Sequence, residues 1–172
     1  RTNDWALGRG NVWLGATICN QEEADRDIPK LLAVPALVRF VSMEPLLSAV
    51  DLDSEKVDGL HALGCGNLRC NCGNRGLDWV VVGGESGPKA RPMHPDWVRG
   101  LRDQCAMAGV PFFWKQWGEW IDADHPGVDM LGSENSPLHK WPEDSYSVRI
   151  GKKAAGRLLD GVLHDAFPEC QP

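Results

Sequence analysis

Leu77-Asp78-Trp79-Val80-Val81-Val82-Gly83-Gly84-Glu85-Ser86-Gly87 is the stretch whose reading decides the fold. Three consecutive valines suit a strand buried on both faces, the habit of parallel sheets. A polar, glycine-rich cluster then ends the run. Downstream, His94-Pro95-Asp96 opens a predicted helix, with Pro95 in the first turn and Asp96 complementing the dipole. Val98, Leu101, Cys105 and Ala108 recur at helical spacing, and Gly109 supplies a stop. Pro111-Phe112-Phe113-Trp114 begins the next strand and ends at Lys115-Gln116. Strand, helix and strand in this order form a βαβ unit.

The same punctuation occurs earlier. Asn11 to Thr17 ends at Cys19-Asn20, and Val38 to Met43 ends at Glu44-Pro45. Between them, Ala24, Ile28, Leu31 and Leu32 mark a helical stripe, and Val34-Pro35 stops it. Pro29 lies inside this stretch and predicts a break, with Asp27 capping a second segment. The expected fold is α/β: an incomplete parallel (β/α) barrel. Such folds carry their chemistry where strands end. That edge gathers Asn20, Glu44, Glu85, Ser86 and Lys115.

The chain of 172 residues reads as one α/β domain spanning 1–172, with an insertion at 48–76 and an irregular C-terminal extension at 119–172. Within the extension, Ser147 to Ile150 is a candidate short strand. The chain opens on Arg1, and a half-barrel would leave strand edges unpaired. Both features predict a piece of a longer protein. Lys and Arg total 18 against 24 Asp and Glu, a formal charge of -6. That balance excludes global attraction to nucleic acid but leaves room for a local patch such as Lys152-Lys153-Arg157. No apolar run approaches the roughly 18 residues a membrane helix needs, and no signal peptide opens the chain, so the expectation is a cytoplasmic protein without a membrane partner.

Gly83 and Gly84 let the main chain turn and admit a ligand, while Glu85 and Ser86 can meet an amine, hydroxyl or phosphate. Glu44 repeats the pattern one strand earlier, held by the following Pro45. Two carboxylates at neighbouring strand ends can bind a cation or transfer a proton; alternatively Glu44 faces solvent paired with Arg39 or Arg91, and Glu85 is a solvated residue of a strand-to-loop turn. Arg91 and His94 can serve an anion, or be a surface residue and an N-cap. Lys115 or Gln116 can point into the mouth. Trp114, Trp117 and Trp120 form either a stacking wall or core capping. His61, Cys65, Cys70 and Cys72 offer four soft ligands for a structural zinc, or remain free thiols in the inserted loop.

Several strings together resemble a bacteriophage and prophage family of unknown function, labelled phage gene product thirty-seven/sixty-eight. They are Asn11-Val12-Trp13-Leu14-Gly15, Asn20-Gln21-Glu22, Ile28 to Leu32, Arg39 to Leu47, Asp78 to Gly87, Lys115 to Gly118 and Gly151 to Gly161. The resemblance implies a radical-SAM-like partial barrel of which this chain is the C-terminal half. It implies S-adenosylmethionine and a four-iron cluster in the full-length protein, the cluster ligands lying in a missing N-terminal half that would be the chain's partner. Glu44, Glu85 and Lys115 are then the candidate catalytic groups, and Asn20, Gly83, Gly84, Ser86 and Arg91 the candidate cofactor contacts. Cys19 stands where the family tends to carry an acidic residue. Gly83-Gly84-Glu85 lies on a late strand, so the cofactor-binding role of the early Gly-Gly-Glu in radical enzymes does not transfer. An unknown substrate, with nucleic acid as a candidate, completes the expectation. The alternatives are a nucleic-acid-associated phage accessory module and an interaction domain without chemistry.

Overall fold

The computed structural model describes residues 12–52, 62–64, 76–126, 128 and 135–169. Its elements in chain order are β1 (Leu14–Thr17), α1 (Gln21–Leu32), β2 (Arg39–Met43), β3 (Trp79–Gly83), α2 (Pro95–Ala108) and β4 (Phe112–Gln116). They continue with β5 (Trp120–Asp122), β6 (Leu138–Lys140), β7 (Tyr146–Arg149) and α3 (Lys152–Ala155).

Strands β1 to β4 form one sheet in sequence order, every neighbour parallel. The molecule is therefore mixed α/β with a four-stranded parallel sheet. Side chains alternate across it with period two. Val41, Met43, Val80, Val82, Phe112 and Trp114 share one core with Ala24, Ile28 and Leu31 of α1 and Val98, Leu101 and Cys105 of α2. The other face carries aromatics. Trp79 packs edge-on against Trp13 and Phe113 at 5.8 Å and lies 5.7 Å from Phe40. On this face the Phe40 ring lies where a side chain at Gly15 would stand, which is why position 15 needs glycine.

Helix α1 is continuous through Pro29, against the expected break. Its cap is Asn20, whose Oδ1 accepts from the Glu23 N–H at 3.0 Å. Asp27 caps nothing and instead accepts from Arg26 and Lys30. Proline removes the hydrogen bond that would end on the Asp25 carbonyl, and Asp25 is exposed, so water can satisfy that group. Burial of Ala24, Ile28 and Leu31 holds the turn together across the gap. Helix α2 follows the sequence closely. His94 caps it through Nδ1, and Gly109 ends it in the left-handed conformation at φ 69°.

Residues 119–172 differ from the irregular extension expected. They contain a second, antiparallel sheet ordered β5-β7-β6, with β7 covering the candidate strand. Strand β6 is short and lies amid residues rich in Pro, Ser and Asp, so no alternating apolar pattern marks it. Pairing to the buried Val148 defines it instead. Within the inserted segment Leu52, Ala62 and Leu63 are buried, and the Leu77 N–H just after it donates to the Ala62 carbonyl. His61, Cys65, Cys70 and Cys72 lie outside the described residues. No helix among the described residues is long and apolar enough to cross a membrane.

Candidate functional site at the carboxyl ends of the parallel strands

Glu44 follows β2, Ser86 follows β3, and Lys115 and Gln116 end β4; a continuous hydrogen-bond network joins them. Glu44 Oε2 accepts from Lys115 Nζ at 2.6 Å and Glu44 Oε1 from Gln116 Nε2 at 2.8 Å. The same Gln116 amide reaches Ser86 Oγ at 3.2 Å. Consecutive strand residues normally point to opposite faces, so one carboxylate should not meet both Lys115 and Gln116. A register shift between Val82 and Gly83 resolves this. Val82 pairs with Trp114 and Gly83 with Gln116, leaving Lys115 as the extra residue of a bulge that turns both side chains to one side.

Gly83 makes the connection possible. Strands lie about 4.8 Å apart, so a side chain from β2 must cross β3 to touch β4. A Cβ at Gly83 would stand 3.2 Å from Glu44 Cδ. The Glu44 side chain thus runs over the bare glycine. The Glu44–Pro45 peptide bond is cis.

Gly84 has a different task. A Cβ there would overlap the Trp117 carbonyl, and one at Gly118 would overlap the Glu85 carbonyl. Their main chains are bonded, Gly84 N–H to Gln116 carbonyl and Glu119 N–H to Glu85 carbonyl, both at 2.9 Å. The space expected to admit a ligand beside Gly84 is therefore filled by the protein's own backbone. Gly87 N–H likewise donates to Glu119 Oε1 at 3.2 Å.

Glu85 sits at the same edge in a second cluster. Its carboxylate accepts two bonds from the Arg91 guanidinium, at 2.8 and 2.9 Å, and one from the Arg91 N–H at 2.7 Å. Hydrogen bonding from Arg91 holds the Glu85 carboxyl down at about 2, against an ordinary 4.5. Such a group stays ionised near neutrality. Cys19 lies close enough to feel both charges; its thiol is raised first by burial and then by Glu23, whose carboxylate accepts from the Cys19 N–H at 2.6 Å.

The sequence-derived candidates thus divide. Glu44, Lys115 and Ser86 converge, with Gln116 as a full member of the network. Glu85 and Arg91 pair with each other, Asn20 caps α1, and His94 caps α2 with Nε2 3.1 Å from Ser145 Oγ. Trp114 and Trp117 are buried and pack edge to face at 5.1 Å, which is core capping and leaves no stacking wall between them. Sequence reasoning missed the bulge, for which β4 carries no local signal.

Fold and site define an α/β protein with a polar constellation at the carboxyl edge of a parallel sheet. The chain matches, over residues 2–168, the model of a family described as protein of unknown function (DUF5131), and it belongs to that family. No curated protein and no solved structure matches it.

Proposed function

We propose that this chain is the ligand-facing half of a radical-SAM-like enzyme, its strand ends completing the mouth in which S-adenosylmethionine and substrate are held. One observation supports this reading above others: Glu44, Ser86, Lys115 and Gln116 come from the ends of three adjacent parallel strands and form one network. Parallel α/β folds place ligands at that edge. An ammonium or ribose hydroxyl of the ligand donates to Glu44 in place of Lys115. The Gln116 carboxamide and Ser86 hydroxyl then fix its orientation.

The described residues do not fit a four-iron cluster. Their cysteines are the half-buried Cys19 and the buried Cys105, and no group of three metal-binding side chains occurs among them. These residues bind and orient the ligand. Glu44, Ser86, Lys115 and Gln116 would hold S-adenosylmethionine, which would supply the chemistry if given an electron from outside these residues.

The nucleic-acid reading retains Lys152 and Lys153, both exposed, but loses Trp114 and Trp117 to the core. The deciding experiment is anaerobic purification of the protein from its complete gene, with iron, sulfide, S-adenosylmethionine and dithionite as reductant. The expected result is an iron–sulfur absorption band with release of 5′-deoxyadenosine, reduced when Glu44 is replaced by Gln. A protein showing neither cluster nor cleavage overturns the proposal.

A further inference from the structure

Arg26, Arg91, Arg99, Arg102 and Arg149 each face a carboxylate within 4 Å. Arg157 faces none among the described residues. Its buried Nε has no hydrogen-bond partner, and among the described residues its one polar contact is a long one, Nη2 to the Trp114 carbonyl at 3.5 Å. The guanidinium is held instead over the Phe113 ring, 5.1 Å from the centroid. In a chain with 24 acidic and 18 basic residues, a half-buried arginine without an acid is conspicuous. Desolvating a cation costs free energy unless an anion or several acceptors compensate it.

The position says where an anion would come from. Phe113 and Lys115 lie two residues apart on β4 and on one face of the sheet, a step of about 7 Å. The Arg157 backbone is fixed at the same strand end: the Trp117 N–H donates to the Gly156 carbonyl at 3.3 Å and Trp117 Nε1 to the Leu158 carbonyl at 2.8 Å. Lys152 and Lys153, just before it in the chain, are exposed and also lack carboxylate partners among the described residues. Lys152, Lys153 and Arg157 thus put three cations in one short segment, and the Phe113 ring, on the strand that carries Lys115, presets the orientation of the Arg157 fork.

We propose that Arg157 is the anion-recognition residue of the strand-end site, taking the carboxylate or phosphate of the ligand whose amine or hydroxyl end meets Glu44. This rests on the reading that the site binds a ligand. The test measures binding of succinate and of inorganic phosphate separately, by concentration-dependent thermal shift, in the wild-type chain and in Arg157→Gln and Arg157→Lys. Both variants are first checked for native circular dichroism. The expected result is saturable binding of at least one anion, weakened about tenfold or more in Arg157→Gln and less in Arg157→Lys, which keeps the charge and loses the fork. The anion bound more tightly identifies the ligand group. If Arg157→Gln fails to fold, Arg157→Lys decides alone, and unchanged binding in it overturns the proposal. Binding of neither anion to wild type, or equal binding to wild type and Arg157→Gln, overturns it as well. S-adenosylmethionine is titrated in parallel. If it fails to bind while an anion binds through Arg157, the radical-enzyme reading falls and the anion site stands.

Discussion

Glu44 and Lys115 are 71 residues apart in the chain, yet Glu44 Oε2 and Lys115 Nζ lie 2.6 Å apart. The lysine side chain is half exposed and the carboxylate mostly covered. A pair of this kind contributes little by itself, within about 1 kcal/mol. The bond from the buried Gln116 to the same carboxylate is worth more, because an amide left without an acceptor loses its desolvation compensation.

That ordering can be measured. Lys115→Met should cost under about 1 kcal/mol in urea unfolding. Glu44→Ala should cost about 1–3 kcal/mol, because it removes the shorter of the two bonds the buried Gln116 amide makes and leaves only Ser86 Oγ to accept from it. Equal costs for the two substitutions would contradict the assignment of Gln116 as the buried partner.

The two adjacent glycines should behave differently. In Gly83→Ala the atoms nearest the new methyl belong to the flexible Glu44 side chain, at 3.2 Å. A modest loss of stability is expected, with the Glu44 network displaced. In Gly84→Ala the methyl meets the Trp117 carbonyl, which belongs to a bonded main chain. Forcing the segments apart should cost about 3 kcal/mol. Thermal melts of the two variants make the comparison, and a Gly84→Ala melt like wild type would show that the segments separate easily.

Acid should loosen the Glu85–Arg91 clamp in a defined window. The folded-state value of Glu85 is lowered, to about 2 from 4.5. Its stabilisation is fully present above the unfolded value and is lost as pH falls from about 4.5 through about 2. Wild type should therefore melt above Glu85→Gln near neutral pH, and the gap should close across that acid window. A gap independent of pH would assign the effect of the substitution to packing.

Pro29→Ala should stabilise the protein. Proline in a helix interior costs about 3 kcal/mol, while its restriction of the unfolded chain returns at most about 1. With Asp25 exposed, water recovers part of the difference, so a gain of about 1–2 kcal/mol is expected in chemical denaturation. No gain, or a loss, would mean that the proline ring contributes packing of its own.

Much of this molecule is legible residue by residue. Val80 to Val82 mark a strand buried on both faces, His94-Pro95 and Gly109 bracket a helix, and Glu44, Glu85 and Lys115 fall where strands stop. Each depends on side-chain periodicity or on backbone preferences within a few positions, which is information the chain carries locally. Which partner each polar group takes is not local. Arg91 claims Glu85, while Glu44 reaches over Gly83 to a bulge in β4, and the antiparallel β5-β7-β6 sheet forms around the central β7, which pairs with both neighbours. Those outcomes depend on register between strands tens of residues apart, where a shift of one position reverses the face of every side chain. Only the assembled sheet sets that register.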